Sequence, residues 1–438
     1  MINQIDTKEI QKIVNFIKVE KFDLALNIIK RLSIKGGDTF TINKLFASTY
    51  FKKKDWFKAI LYYKKILSFE KHNYKILTNI GFAYFKLGQI KKSIIFYVKS
   101  INENPKSDLT YNNLAISYTE LGLYEKAYFC FLEILKINKE SLLAKKNLIY
   151  LLNFISPKKN KNDEILKLNN KIKELSKNFN LNNLHKIDKL KQILTDSNNL
   201  IDTHDKDLFL EETQTYRKNL VDLNCERHFK VFNTHNIIPN FCFSCYKIQI
   251  NLLNVIDLIK LFFIFDNIKF ENDNIRKCMV ELRDKIEGNY KGYIYCRSLE
   301  ESIKIKGELE ETLINRNLIN YKIDIKHGCS EFYNSYPEFK KIDFKTSKNF
   351  NYKKSWAEKE KHIDNLEPIR SDKDKKIMVS SLRGLNLSDI LIIKNWLNYA
   401  FIIGDDSYKK LYSKNFNSNF LNTILYNQLN FRKNNLKV

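Results

Sequence analysis

Along the first third of the chain, small, aromatic and bulky positions recur with a period of 34 residues. Ala25, Ala59, Ser93 and Ala127 fall on one register, and Phe16, Tyr50, Tyr84 and Tyr118 on a second. A third holds Ile29, Tyr63, Tyr97 and Phe131, while Gly88 and Gly122 repeat between apolar runs and Pro105 closes one unit. A period of this length suits a helix–turn–helix unit, in which the small residue lets two helices approach and the aromatics fill the gap to the next unit. The pattern predicts helix pairs over residues 6–141. Ser141 to Phe154 reads as a capping helix, which a stack of such pairs needs to cover its last apolar face. The first unit is degenerate, and Lys139 stands where the third unit has Pro105.

Further on, the period changes. The order is strand (Cys245 to Leu252), helix (Asn254 to Asp266), strand (Lys277 to Arg283), strand (Gly292 to Arg297), helix (Leu299 to Asn317) and strand (Tyr321 to His327). A β-α-β-β-α-β order predicts the ferredoxin-like split arrangement, one antiparallel sheet with two helices on one face. Later, Asn386-Leu387-Ser388-Asp389 offers a helix cap, Leu391, Ile392, Trp396 and Ala400 follow at helical spacing, and Gly404 suits the stop. That helix is expected to dock on the α+β domain. Between these parts lie polar stretches: the basic run Lys158 to Lys161, the Asn-rich segment Asn178 to Asp207, and residues 340–375 with the isolated aromatics Phe344, Phe350 and Trp356. The expected organisation is an all-α solenoid (1–155), a polar helical linker (156–220), a cysteine-rich α+β domain (221–339), and a polar segment ending in the docking helix (340–438).

The registers of residues 6–141 resemble the tetratricopeptide repeat (TPR). The resemblance implies a concave groove, formed by the first helix of each unit, that binds a protein or peptide partner and performs no catalysis. Asn43, Asn79, Asn112 and Asn113 lie on those first helices, where their amides would bond a peptide backbone. Asn224-Cys225-Glu226-Arg227-His228, Phe241-Cys242-Phe243-Ser244-Cys245 and His327-Gly328-Cys329-Ser330-Glu331 resemble a region that follows TPRs in uncharacterised bacterial proteins. That second resemblance implies no activity.

Composition changes this picture little. Lys and Arg number 75 against 50 Asp and Glu, a net charge of +25 that would suit nucleic acid or an anionic membrane. The excess is spread along the chain, with abundant Lys, Asn and Ile, and reads as compositional drift on solvated faces. Met1 to Ile10 is polar and lacks the apolar core of a leader. Leu252 to Ile268 and Ile390 to Ile403 are broken by Asp257, Lys260, Lys394 and Asn395. Both fall short of the roughly 18 apolar residues a membrane span needs. A cytoplasmic protein with reduced thiols and no membrane partner is expected.

Candidate chemistry centres on cysteine. Six of the seven cysteines lie between Cys225 and Cys329. In the split topology the starts of the first two strands and the ends of the last two share one sheet edge. Cys245, Cys278, Cys296 and Cys329 are therefore expected to converge there, with Cys242 alongside. Strand alternation points Cys278, Cys296 and Cys329 toward the helices. Such a site suits zinc or an iron–sulfur cluster. Cys242-x-x-Cys245 has ligand spacing but no second such pair, and His228 and His327 are possible further ligands. Thiol redox chemistry and inert burial are the alternatives. Lys291, Gly292, Tyr293 and Tyr295 partly match the RNP1 signature of RNA-recognition motifs. With Lys247, Gln249 and Arg297 they would give an RNA-binding sheet face. An enzyme of the transferase type, of the kind sometimes fused to TPRs, would draw on Glu281, Arg283, Arg297 and Glu331. No phosphate loop, catalytic triad or dinucleotide fingerprint is present to support it.

Overall fold

The structure, a computed structural model, describes residues 6–157, 163–177, 186–217, 223, 225–318, 320–342, 350–366, 385–412 and 419–436. Lys158 to Lys161, Asn224 and Phe344 lie outside these residues. The chain divides into two units, Met1–Leu148 and Ile149–Val438. Among the described residues no helix is long and apolar enough to cross a membrane.

The first unit is built of helix pairs: α1 (Thr7–Lys18) with α2 (Phe22–Ile34), α3 (Thr39–Lys52) with α4 (Trp56–Leu67), α5 (Tyr74–Lys86) with α6 (Ile90–Glu103), and α7 (Asp108–Glu120) with α8 (Tyr124–Ile137). α9 (Leu142–Leu151) follows. Ala25, Ala59, Ser93 and Ala127 are all fully buried, as a register of close helix approach requires. Gly81 is tighter still: a Cβ there would lie 2.7 Å from the ring of Tyr97. Side-chain oxygens of Asp38, Asp55, Asn73 and Ser107 cap α3, α4, α5 and α7 by accepting backbone N–H bonds.

One turn geometry joins the helices of every pair. The carbonyls of Phe16, Tyr50, Tyr84 and Tyr118 accept bonds of 2.8 to 2.9 Å from the N–H groups of Lys21, Asp55, Gln89 and Leu123. The residue before each donor, Glu20, Lys54, Gly88 or Gly122, has positive φ. This is the six-to-one closure of a Schellman motif, which places one residue in the left-handed region. Lys58, Lys92 and Lys126, also one period apart, stand 5.2, 5.6 and 5.7 Å from the ring centroids of Tyr50, Tyr84 and Tyr118. Tyr50, Tyr84 and Tyr118 thus each end a first helix and receive a cation from the second.

The second unit continues with α10 (Glu164–Ser176), α11 (Ile187–Asp205), β1 (Gln214–Arg217), α12 (Cys225–His235), β2 (Tyr246–Leu252), α13 (Val255–Asn267), β3 (Arg276–Val280), β4 (Tyr290–Cys296), α14 (Leu299–Asn315) and β5 (Tyr321–His327). Last come α15 (Lys354–Leu366), α16 (Leu387–Ile403), α17 (Asn419–Leu425) and α18 (Leu429–Asn434). The sheet order is β1-β3-β4-β2-β5, with every neighbouring pair antiparallel. β2 to β5 with α13 and α14 form the expected split arrangement. β1 adds an edge strand from the stretch read as linker. That stretch also carries α10 and α11, which bury Leu166, Leu168, Ile172, Leu190, Leu194 and Ile201 and pack against α16. Their apolar stripes are narrow and set among Asn and Lys, which makes them resemble solvated chain.

α13 presses so closely on the sheet that a Cβ at Gly292 would lie 2.4 Å from Leu261 Cδ2. α16 is nearly all buried, starts in a capping box of Asn386 and Asp389, and stops at Gly404 in left-handed backbone. It holds the sheet edge by hydrogen bonds, Trp396 Nε1 donating to Thr213 O at 2.8 Å and Tyr399 Oη to Glu281 O at 3.1 Å.

The shared turn register yields a stability prediction. Left-handed backbone costs a residue with a Cβ about 1–2 kcal/mol, and glycine escapes that strain. Lys54→Gly should therefore raise stability by up to about 1 kcal/mol after glycine's entropic cost, while Gly88→Ala should lower it by about 1 kcal/mol. Denaturant unfolding of the full chain, followed by helical circular dichroism, measures both.

Candidate functional site

Strand alternation gives the sheet two unlike faces. Ile248, Ile250, Cys278, Val280, Ile294 and Cys296 are buried on the face covered by α13 and α14. Lys247, Gln249, Lys277, Tyr293, Tyr295 and Lys326 occupy the other face and floor a cavity of about 360 Å³. This volume falls in the range of small-molecule sites, about 300–1,000 Å³. Gln214 and Tyr216 of β1, Phe229 of α12, and Cys329 and Glu331 after β5 form its rim.

The cavity is cationic. Lys247, Lys277, Lys326 and Arg283 line it, against the carboxylates of Glu281 and Glu331. Arg283 engages both acids, donating to Glu281 at 2.7 and 2.8 Å and to Glu331 at 3.0 Å. Lys291, buried behind the wall, donates to Glu281 at 2.9 Å. Burial alone would raise the Glu281 carboxyl, but Arg283 and Lys291 outweigh it and hold its pKa at about 2. Among the described residues no carboxylate lies within ion-pair distance of Lys247 or Lys277. Lys277 Nζ stands between two phenol rings, 5.6 Å from Tyr216 and 5.1 Å from Tyr293, with Gln214 Oε1 at 3.4 Å. Burial, then the charges of Lys247 and Arg283, push its pKa down to about 8. Lys326 is lowered too, by burial and by Arg283 and Lys340. Lys277 and Lys326, amines with no ion-pair partner among the described residues, form a site that an anion would relieve.

The expected convergence of five cysteines is not found. Cys278 lies opposite Gly292, four positions along β4 from Cys296, which is about 13 Å of strand. Cys278 and Cys296 are core thiols on the helix-covered face, and burial pushes both upward in pKa. Cys329 takes the other face, because Gly328 has φ +56 and breaks the alternation of β5. Cys242, Cys245 and Cys329 do meet, joined by Cys225 and His228, around a small cavity of about 10 Å³. Burial pushes the Cys245 pKa up to about 12 and that of Cys242 higher still. Among the described residues no group of three or more His, Cys, Asp or Glu side chains is arranged to hold a metal ion. Both ring nitrogens of His327 lie 2.9 Å from backbone carbonyls, those of Phe339 and Phe243. It is a core histidine.

Tyr293 and Tyr295 share the helix-free face with Lys247, yet they do not form an open stacking platform. Tyr293 is 7% exposed, with Lys277 over its ring and its hydroxyl on Gln249. Lys247 stands 5.2 Å from the Tyr295 ring centroid. Arg297 is exposed beyond the end of β4, and its backbone N–H donates to Glu301. In the first unit, Asn43 is buried, and Asn79 is half-buried and donates to Tyr63 Oη at 3.2 Å. Asn113 is half-buried, its backbone carbonyl accepting from Ser117. Asn112 is half-buried, and its side-chain oxygen has no partner.

Lys277, Tyr216 and Lys326 carry no motif that marks them in the sequence. One lysine carries no signal among so many, although alternation opposite the isoleucines of β2 and β5 marks the face they share.

Residues 74–107 and 110–141, which contain α5, α6 and α8 and all but the first two residues of α7, match the tetratricopeptide repeat family. The chain therefore carries tetratricopeptide repeats. No curated protein matches it. A solved tetratricopeptide repeat protein from Parabacteroides merdae is 19% identical with a TM-score of 0.32, the likeness covering 46% of this chain and 67% of that one. MamA from Desulfovibrio magneticus is 14% identical with a TM-score of 0.30, over 33% of this chain and 81% of its own.

Because the Lys277 pKa is lowered, its ammonium is present below about pH 8 and is lost as pH rises through that value. Calorimetric affinity for sulfate, whose charge is fixed over this range, should be constant at lower pH and fall about tenfold or more across that window. Lys277→Met should weaken binding at neutral pH and abolish the step.

Proposed function

We propose that this protein is an interaction scaffold, holding a protein or peptide partner on its helical repeats and a small anion in the sheet cavity of its second unit. The exposed face of α7 supports the first part. Leu109 and Ile116 are 60% and 39% exposed there, seven residues apart and so on one face of the helix. Exposed apolar side chains on one helix face suit an apolar peptide segment. Lys277 and Lys326 on the helix-free face, with no ion-pair partner among the described residues, support the second part. A cavity of about 360 Å³ whose phenol rings are covered by lysines favours a small molecule over a stacked nucleic acid.

The partner reading is tested on the full chain. Proteins crosslinked to it in cells would be identified, and recovery compared with the double variant Leu109→Glu, Ile116→Glu. Both positions are exposed, so folding should survive, and recovery of a true groove partner should fall about tenfold or more. Equal recovery with both chains would remove the groove assignment.

A further inference from the structure

Lys247 and Cys329 form a pair that neither the fold nor anion binding requires. Lys247 rises from the second position of β2 onto the cavity floor, with Nζ 2.7 Å from Cys329 Sγ. The Gly328 N–H binds Cys245 O at 2.7 Å, and left-handed backbone at Gly328 turns Cys329 toward the cavity. Cys225 and Cys329 line this larger cavity, and Cys329 receives a hydrogen bond from the Lys247 amine. The thiolate is the nucleophilic form of cysteine, and an adjacent ammonium favours it. Lys326 pairs with Lys247 across the β2–β5 ladder, so the same floor offers a second cation to a substrate.

We infer that Cys329 is a nucleophile, with Lys247 as its proton partner, toward a small electrophile that carries a carboxylate or phosphate. The inference rests on the anion-binding reading of the cavity. In the reacting pair, Nζ holds three protons and Sγ none. A sulfur lone pair forms a bond to the electrophilic carbon as the bond from that carbon to the leaving group breaks. The leaving group departs with those electrons and takes one proton from Nζ. No oxidant or reductant is consumed. Lys277 and Lys326 hold the anionic group of the substrate.

The test treats the full chain with limiting iodoacetate or iodoacetamide and locates the label by peptide mass spectrometry. Cys329 should react before the other cysteines, and its preference for the charged reagent should exceed that of free cysteine about tenfold. Lys247→Met should slow labelling of Cys329 about tenfold or more, while Lys247→Arg, which keeps the charge, should restore most of it. Label spread evenly over the thiols, or a reagent preference equal to that of free cysteine, would overturn the inference. So would Cys329 labelling that appears only after a chelator has released zinc or iron, which would make the four clustered thiols a metal site. Sulfate calorimetry separates the two readings. Binding with an inert Cys329 refutes the nucleophile alone, whereas absent binding refutes the anion cavity itself.

Discussion

A buried arginine fixes the edge of the sheet on which the cavity depends. Arg217, 3% exposed at the end of β1, lies between Asp266 of α13 and Asp389 of α16, with Nε 3.2 Å from Asp266 and Nη2 bonded to Asp389. Its guanidinium also stands 4.4 Å from the ring centroid of Phe262. Burial opposes its charge, and the two carboxylates outweigh that opposition and raise its pKa. Desolvating three charged groups costs several kcal/mol for each ion, so the triad adds less to stability than its contacts suggest. It acts instead as a geometric constraint. A four-residue edge strand has little of its own to hold it, and here it is tied to two helices. Gln214 and Tyr216, on that strand, are thereby placed beside Lys277.

The opposite wall is fixed by comparable means. Arg432, fully buried on α18, donates to the carbonyls of Arg283 and Ile286, and Gln428 donates to Leu282 O at 2.9 Å. Tyr399 of α16 holds the Glu281 carbonyl. The segment joining β3 to β4 is thus clamped, and Arg283 reaches across to Glu331 beyond β5. Charge compensation is complete in these walls and missing on the floor. That asymmetry separates structural ion pairs from a site: Glu281 is saturated by Arg283 and Lys291, whereas among the described residues Lys277 faces the cavity without a carboxylate and Lys247 is met by the Cys329 thiol.

How much of this the sequence discloses depends on how many positions repeat each signal. The helix pairs are legible because small, aromatic and bulky registers agree at one period. The same period also carried the lysines above the tyrosines and the left-handed turn residue, signals hidden because Lys54 and Glu20 stand where Gly88 and Gly122 do. The split sheet is legible because two helices interrupt four alternating strands. β1 is not, since four residues beside a polar stretch leave too short a pattern. The expected cysteine convergence breaks down at the strand ends. Cys278 sits in the middle of β3, not at its edge, and Cys329 follows a glycine that cancels the alternation. The cavity was half visible, in Tyr293, Tyr295 and Lys247, while Lys277 and Tyr216 needed the strand pairing to bring them together.

Anomalous diffraction from crystals of the full chain soaked in tungstate tests the cavity most directly. Tungstate is a tetrahedral oxyanion that matches phosphate in shape and is located without ambiguity. The account predicts a strong tungsten peak in the cavity, with oxygens about 3 Å from Lys277 Nζ and a neighbouring amine of the floor. Tungstate bound only at exposed surface lysines, with the cavity empty, would contradict it.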